Sequence, residues 1–301
     1  MQFPFNPGSP VTIRRVRAVV NPASGSVGAQ AASELEALFA EFGLDHRVVT
    51  LAPRRAERGV RAALDAGPDL VVVLGGDGTA RLAAEMCGAG GPLVAPLSGG
   101  TMNMLGRALY GETPWREALR GALEAGHARW VSGGEVAGRA FFCGAVLGAP
   151  ALLAPAREAI RARALRRAWR RAVLAQRKAL VSRLAYELDG ETGQGVALSL
   201  RCPSVLADPD APDGALQAAV LDPPDADAGV KAAVRLALRN FLGDWRDDPN
   251  ATTPCVRGRA WARSTIPIML DGEIFRLGRT VDFGFRHHAF RALAPAAAPA
   301  A

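Results

Sequence analysis

Four short apolar runs, near residues 15–20, 46–50, 69–74 and 92–97, alternate along the first third of the chain with stretches of helical periodicity near 29–42, 54–66 and 79–88. This rhythm predicts βα units and a parallel sheet with helices on its faces. Leu70 to Leu74 is unbroken apolar sequence. That suits a strand covered on both sides, where the alternation of a half-exposed strand is lost. From about Trp130 the rhythm changes. Short strand-like runs follow at 140–147, 183–188, 195–202, 216–221, 260–262 and 266–270, separated by Gly, Pro and Asp, with helical segments near 157–180 and 226–243. The expected fold class is therefore α/β with two domains: a parallel α/β domain over 1–129, and an antiparallel β-sandwich with helical insertions over 130–285.

Three of the parallel-strand runs end in turns rich in glycine, hydroxyl and amide groups. These are Asn21-Pro22-Ala23-Ser24-Gly25, Gly75-Gly76-Asp77-Gly78-Thr79 and Ser98-Gly99-Gly100-Thr101-Met102-Asn103. In an open parallel sheet such strand ends line one crevice, which is where ligands bind. Gly75, Gly76 and Gly78 let the backbone turn and approach a ligand without a Cβ in the way. Thr79 is placed to cap a helix over 80–86, whose amino end offers N–H groups and a positive dipole end to phosphate oxygens. Asp77 is a lone carboxylate among these amides. Its charge calls for a bound Mg²⁺ or a nucleotide hydroxyl.

These three turns, together with Asp271-Gly272-Glu273 far downstream, stand in the order and spacing of the diacylglycerol kinase catalytic-domain family. That family includes bacterial lipid kinases and the sphingosine and ceramide kinases, and the chain resembles it from Arg15 to Ala292. A lone Gly-Gly-Asp-Gly-Thr is similar to the motif of NAD kinases and phosphofructokinases; four motifs in order are specific. The chain also departs from the family pattern. Arg81-Leu82 replaces the usual Asn-Glu, Met104 the usual Asp, and Ser98 the commoner Pro.

The resemblance implies an ATP-dependent lipid kinase that transfers the γ-phosphoryl group to a hydroxyl of diacylglycerol or of a ceramide or sphingoid-type lipid. ATP and Mg²⁺ would be its cofactors. The two domains would have a cleft between them, and ATP would lie in the crevice at the strand ends, its phosphates against Gly75, Gly76, Asp77, Gly78 and Thr79 and its other groups near Asn21, Ser24, Thr50, Thr101 and Asn103. Asp77 would sit beside the metal. Glu273, held in a drier setting beside the phosphates, would receive the hydroxyl proton. Residues 286–301 would return to the first domain. Asp210, Asp213 and the carbonyl of Ala215 look similar to a structural Mg²⁺ loop of bacterial members, with a plain Asp/Pro/Gly turn as the alternative. Two other functions stay open: a soluble kinase of NAD type, and a non-catalytic nucleotide- or lipid-binding regulator.

Composition narrows the setting. With 301 residues, 49% hydrophobic and 22% charged, the chain can bury about two cores and is not of disordered composition. Cys87, Cys143, Cys202 and Cys255 are far apart, which indicates neither zinc nor a disulfide framework. The amino terminus has no charged region followed by an apolar stretch. The uncharged run 140–156 is broken by Gly and Pro and is short of the ~20 residues a span needs.

Charge is concentrated. Against a total of +7, Arg157 to Arg183 carries ten Arg or Lys and the single acid Glu158, with Ile160, Leu165, Trp169, Val173 and Leu180 near one helical stripe. Such a helix can lie on an anionic membrane surface, or it can present a solvated face. No aromatic β-platform, helix-turn-helix or metal finger accompanies it, so nucleic acid is not an expected partner. The expected location is cytoplasmic, with peripheral association at the inner membrane surface.

Overall fold

The computed structural model describes residues 11–52, 55–148, 150–151, 183–203, 214–222 and 252–295. The basic stretch 157–182, the positions of Asp210 and Asp213, and the helical segment expected near 226–243 lie outside the described residues. The chain forms two compact units, residues 1–133 with 287–301, and residues 134–286.

In the first unit β1 (Arg15–Val20), β2 (Asp45–Thr50), β3 (Leu70–Gly75) and β4 (Leu93–Ser98) alternate with α1 (Ala31–Glu41), α2 (Ala56–Asp65) and α3 (Asp77–Cys87), and α4 (Met104–Tyr110) and α5 (Trp115–Ala125) follow. The strands are parallel in the order β2-β1-β3-β4. Every residue of β3 is buried, as its unbroken apolar sequence requires. One face carries Val16, Ala18, Leu70, Val72 and Leu74 into a core with Leu35 and Phe39 of α1 and Leu119 of α5. On α1 and α5, Arg116 pairs with Glu34 and Arg120 with Glu41. The helices α2 and α3 contact each other, α2 also touching β1, and α3 touching β3 and β4.

The last strand, β16 (Thr280–Ala294), begins in the second unit and ends in the first, where Ala292 is the parallel partner of Val94. Tyr110 fixes that end by donating its buried hydroxyl to the Leu293 carbonyl at 2.6 Å. Burial pushes the Tyr110 phenol pKa up.

The second unit is antiparallel. It contains the end of β5 (His127–Val136), then β6 (Arg139–Phe141), β7 (Gly144–Gly148), β8 (Leu184–Leu188), β9 (Glu191–Gly195), β10 (Ala197–Arg201), β11 (Leu216–Leu221), β12 (Thr253–Cys255), β13 (Arg257–Trp261), β14 (Pro267–Leu270) and β15 (Glu273–Arg276). One sheet runs β12-β11-β10-β7-β14-β15; in the other, β9, β8, β13 and the start of β16 are neighbours. Leu147, Leu198, Leu200 and Ile268 of the first meet Leu184, Ala260, Val281 and Phe283 of the second in one core, which is the packing of a sandwich.

Several elements differ from the sequence expectation for identifiable reasons. The single run expected at 140–147 is two strands, because the N–H groups of Phe142, Cys143 and Gly144 leave the ladder for the carboxylate of Asp271. The strand β9 has no apolar signal in Glu-Thr-Gly-Gln-Gly; it lies at a sheet edge and is held by pairing with β8. The helix α3 begins at Asp77, with Gly76 as its N-cap, so Thr79 lies inside the first turn and does not cap it. Among the described residues no helix is long and apolar enough to cross a membrane.

Candidate functional site

In the first unit the carboxyl ends of the parallel strands are level: Thr50 pairs with Val20, Val20 with Leu74, and Leu74 with Leu97. The chain moves from β1 outward to β2 and then returns to the other side of β1 as β3. The order therefore reverses between β1 and β3, and their two following turns open side by side at that switch point.

Hydrogen bonds join those turns to each other and to the turn after β4. Asn21 Nδ2 donates to Thr79 Oγ1 at 2.9 Å, and Gly76 N–H donates to Ser24 Oγ at 2.9 Å. Ser26 links to the third turn through its N–H to the Gly99 carbonyl (3.1 Å) and its hydroxyl to the Gly100 carbonyl (2.8 Å). Asn103, at a left-handed φ of 53°, turns its side chain back on Gly100, accepting its N–H at 2.6 Å and donating to its carbonyl at 3.0 Å. Asn21, Ser24, Gly75, Gly76, Asp77, Thr79 and Asn103 are thus brought together. Thr50 is exposed at the same level of the sheet on the edge strand β2, and Thr101 is exposed in the third turn.

Within these three turns the closest backbone approaches are at glycines 99 and 100. A Cβ on Gly100 would stand 2.7 Å from Gly76 Cα, and one on Gly99 would stand 2.8 Å from the Gly75 nitrogen. At Gly76 the nearest atom would be 3.6 Å away, which is ordinary contact. Glycines 99 and 100 let two turns pack backbone against backbone, a role that pattern alone does not show.

Asp77 has partners other than those its sequence context called for. Its Oδ1 accepts the Met104 N–H at 2.6 Å and its Oδ2 the Asn103 N–H at 3.0 Å. Burial raises its pKa, while the N–H groups of Met104, Asn103 and Leu105 and its own N–H pull the other way.

In the second unit, Asp271-Gly272 is the two-residue turn between β14 and β15, with φ of 45° and 89° and Leu270 paired to Glu273. The carboxylate of Asp271 is buried and accepts three successive N–H groups, from Phe142 (2.8 Å), Cys143 (2.9 Å) and Gly144 (2.9 Å). The turn carrying Glu273 is fixed by that clasp. Glu273 itself is exposed, which differs from the drier setting that the resemblance implied. Sequence reasoning passed over Asp271 because Asp-Gly is an ordinary hairpin signal; its burial becomes visible only with the three donors in place. Ala215 is buried ahead of β11, after Gly214 at a φ of 100°.

Residues 15–135 match the Diacylglycerol kinase catalytic domain. The three linked turns lie within these matched residues. A structure of a diacylglycerol kinase from Bacillus anthracis str. Sterne shares the fold, at a TM-score of 0.65 and 16% identity over 95% of this chain and 98% of that one. Another structure from the same organism, given the same kinase class, superposes at a TM-score of 0.64 with 17% identity over 93% and 98% of the two chains. No curated protein matches the chain.

Whether the domain holds Mg²⁺ through its own side chains can be judged from the donors. Among the described residues no three His, Cys, Asp or Glu side chains converge as a metal site, and Asp77 is engaged by backbone N–H groups. The described residues therefore present no side-chain cluster for a protein-held cation.

Proposed function

We propose that the protein is an ATP-dependent lipid kinase, transferring the γ-phosphoryl group to a hydroxyl of a membrane lipid of diacylglycerol or ceramide/sphingoid type. The observation that carries this is the hydrogen-bonded set of three turns at the β1/β3 switch point, within residues that match the Diacylglycerol kinase catalytic domain. Strand ends and the amino end of α3 at one level suit a polyphosphate, and Asn21, Ser24, Thr50, Thr101 and Asn103 are the polar groups proposed around the rest of the nucleotide. Kinases of this family use ATP and typically a divalent cation. Such an ion would enter on the phosphates, since Mg²⁺ commonly keeps waters and phosphate ligands.

In the proposed reaction the acceptor oxygen forms a bond to the γ-phosphorus as the bond to the ADP oxygen breaks, and Glu273 takes the hydroxyl proton. Support for Glu273 is its place in Asp271-Gly272-Glu273 and the clasp that fixes that turn. The basic stretch 157–183 is proposed as the contact with an anionic membrane surface, which would make the protein peripheral. The test is thin-layer separation of products from radiolabelled ATP and a panel of lipids in mixed micelles. A labelled phospholipid or sphingolipid product is expected. Conversion of NAD to NADP with no lipid product would overturn the proposal.

A further inference from the structure

The geometry points to Asp77 as a positioning residue: its carboxylate holds the segment 100–105 in register beneath the turn at 75–79, and it is not a ligand for the metal that accompanies the nucleotide. This deepens the kinase reading and rests on it for the identity of the ligand. The N–H groups of Asn103, Met104 and Leu105 open α4, where no intrahelical acceptor exists for them. Asn103 is the N-cap, yet its side chain does not cap this helix, because it is turned back on Gly100. Asp77 supplies the cap instead, from the first turn of another helix 26 positions away.

An ionised carboxylate has about four lone-pair sites. Each oxygen of this one is bonded by a backbone N–H, Oδ1 by Met104 at 2.6 Å and Oδ2 by Asn103 at 3.0 Å. Both oxygens are thereby committed to the amino end of α4. The same carboxylate stands at the positive ends of both α3 and α4, so its charge is answered by backbone dipoles. The consequence reaches the ligand-facing turn. Gly100 packs on Gly76 with no room for a Cβ, and Asn103 fixes both polar groups of Gly100. A shift of α4 would carry Asn103 with it and part that contact.

Asp77→Asn keeps the volume but replaces one acceptor with a donor, and Asp77→Ser keeps a capping oxygen without charge. Hydrogen exchange of the full chain, with no nucleotide or metal, is expected to show the amides of 103–105 exchanging at least tenfold faster in Asp77→Asn, partial recovery in Asp77→Ser, and unchanged protection in β3. Mn²⁺ titration followed by electron paramagnetic resonance, without nucleotide, is expected to give the same binding in both variants as in the native protein. Unchanged protection at 103–105, or Mn²⁺ binding present in the native protein and lost in both variants, would overturn the inference. If β3 loses protection in Asp77→Asn, the same comparison is read from Asp77→Ser. None of these measurements depends on turnover, so they stand apart from the lipid kinase test.

Discussion

Asn21 and Thr79, 58 positions apart in the chain, meet side chain to side chain, the amide of one donating to the hydroxyl of the other at 2.9 Å. The bond joins the turn after β1 to the first turn of α3, so it is one of the ties that assemble a single polar surface from separate strand ends. Thr79 is buried, and an unmet polar group there is costly. Thr79→Val is expected to lower stability by about 1–2 kcal/mol. Urea unfolding of Asn21→Ala, Thr79→Val and the pair should give a coupling of ~1 kcal/mol; additive single effects would mean the bond contributes nothing.

The glycine geometry separates folding from ligand approach. Gly100→Ala is expected to disturb the first unit, because its Cβ would meet the backbone of Gly76 at 2.7 Å. Gly76→Ala should fold with a Tm close to the native value, since nothing lies within 3.6 Å of the new methyl. It should nevertheless weaken ATP binding by placing a Cβ where phosphate approaches. Thermal melts with and without nucleotide check both expectations.

Asp271 is expected to be a large contributor to the stability of the second unit. Removing its carboxylate leaves the N–H groups of Phe142, Cys143 and Gly144 without that acceptor. Each unsatisfied buried group costs about 1–3 kcal/mol. Asp271→Ala should therefore lose several kcal/mol and Asp271→Gly slightly less, because glycine accepts the positive φ that alanine resists. Denaturant midpoints for the two variants measure the clasp and the backbone strain separately.

Glu273→Gln keeps the shape of the side chain and removes its basicity. A loss of ~10²–10⁴ in kcat is expected with ATP affinity nearly unchanged, as for other general bases. A variant with more than about half the native kcat would remove Glu273 from the proton-transfer role.

The four cysteines are free thiols and all are buried. Burial pushes the Cys87 thiol up to about 12 and the Cys255 thiol up to about 11. A folded pKa above the unfolded one gives stability that is complete below the unfolded value, ~8.5, and is lost as pH rises through the folded value. The Tm should thus fall between about pH 9 and 11, and less steeply in Cys87→Ala. A thiol reagent at neutral pH should label the native protein slowly and all four sites after unfolding.

Amino-acid pattern alone determined the parallel α/β unit, because each of its strands is a local apolar run followed by a local helix, and because glycine and hydroxyl residues mark the strand ends. Resemblance to a kinase family, rather than pattern, set three such turns beside a distant Asp-Gly-Glu. Tertiary structure decided what those residues touch. Asp77 looked like an isolated charge in need of a Mg²⁺ or a nucleotide hydroxyl, and N–H groups at the amino end of α4 bond to it from 26 and 27 positions downstream. Thr79 looked like a helix cap and is the acceptor for Asn21. Asp271 looked like part of an ordinary hairpin turn and is a buried clasp. Edge strands such as β9 carry no apolar pattern and exist through pairing. The physical reason is common to all of these: local sequence sets which backbone conformations are inexpensive, whereas the partner of a polar group is set by residues that only folding brings within 3 Å.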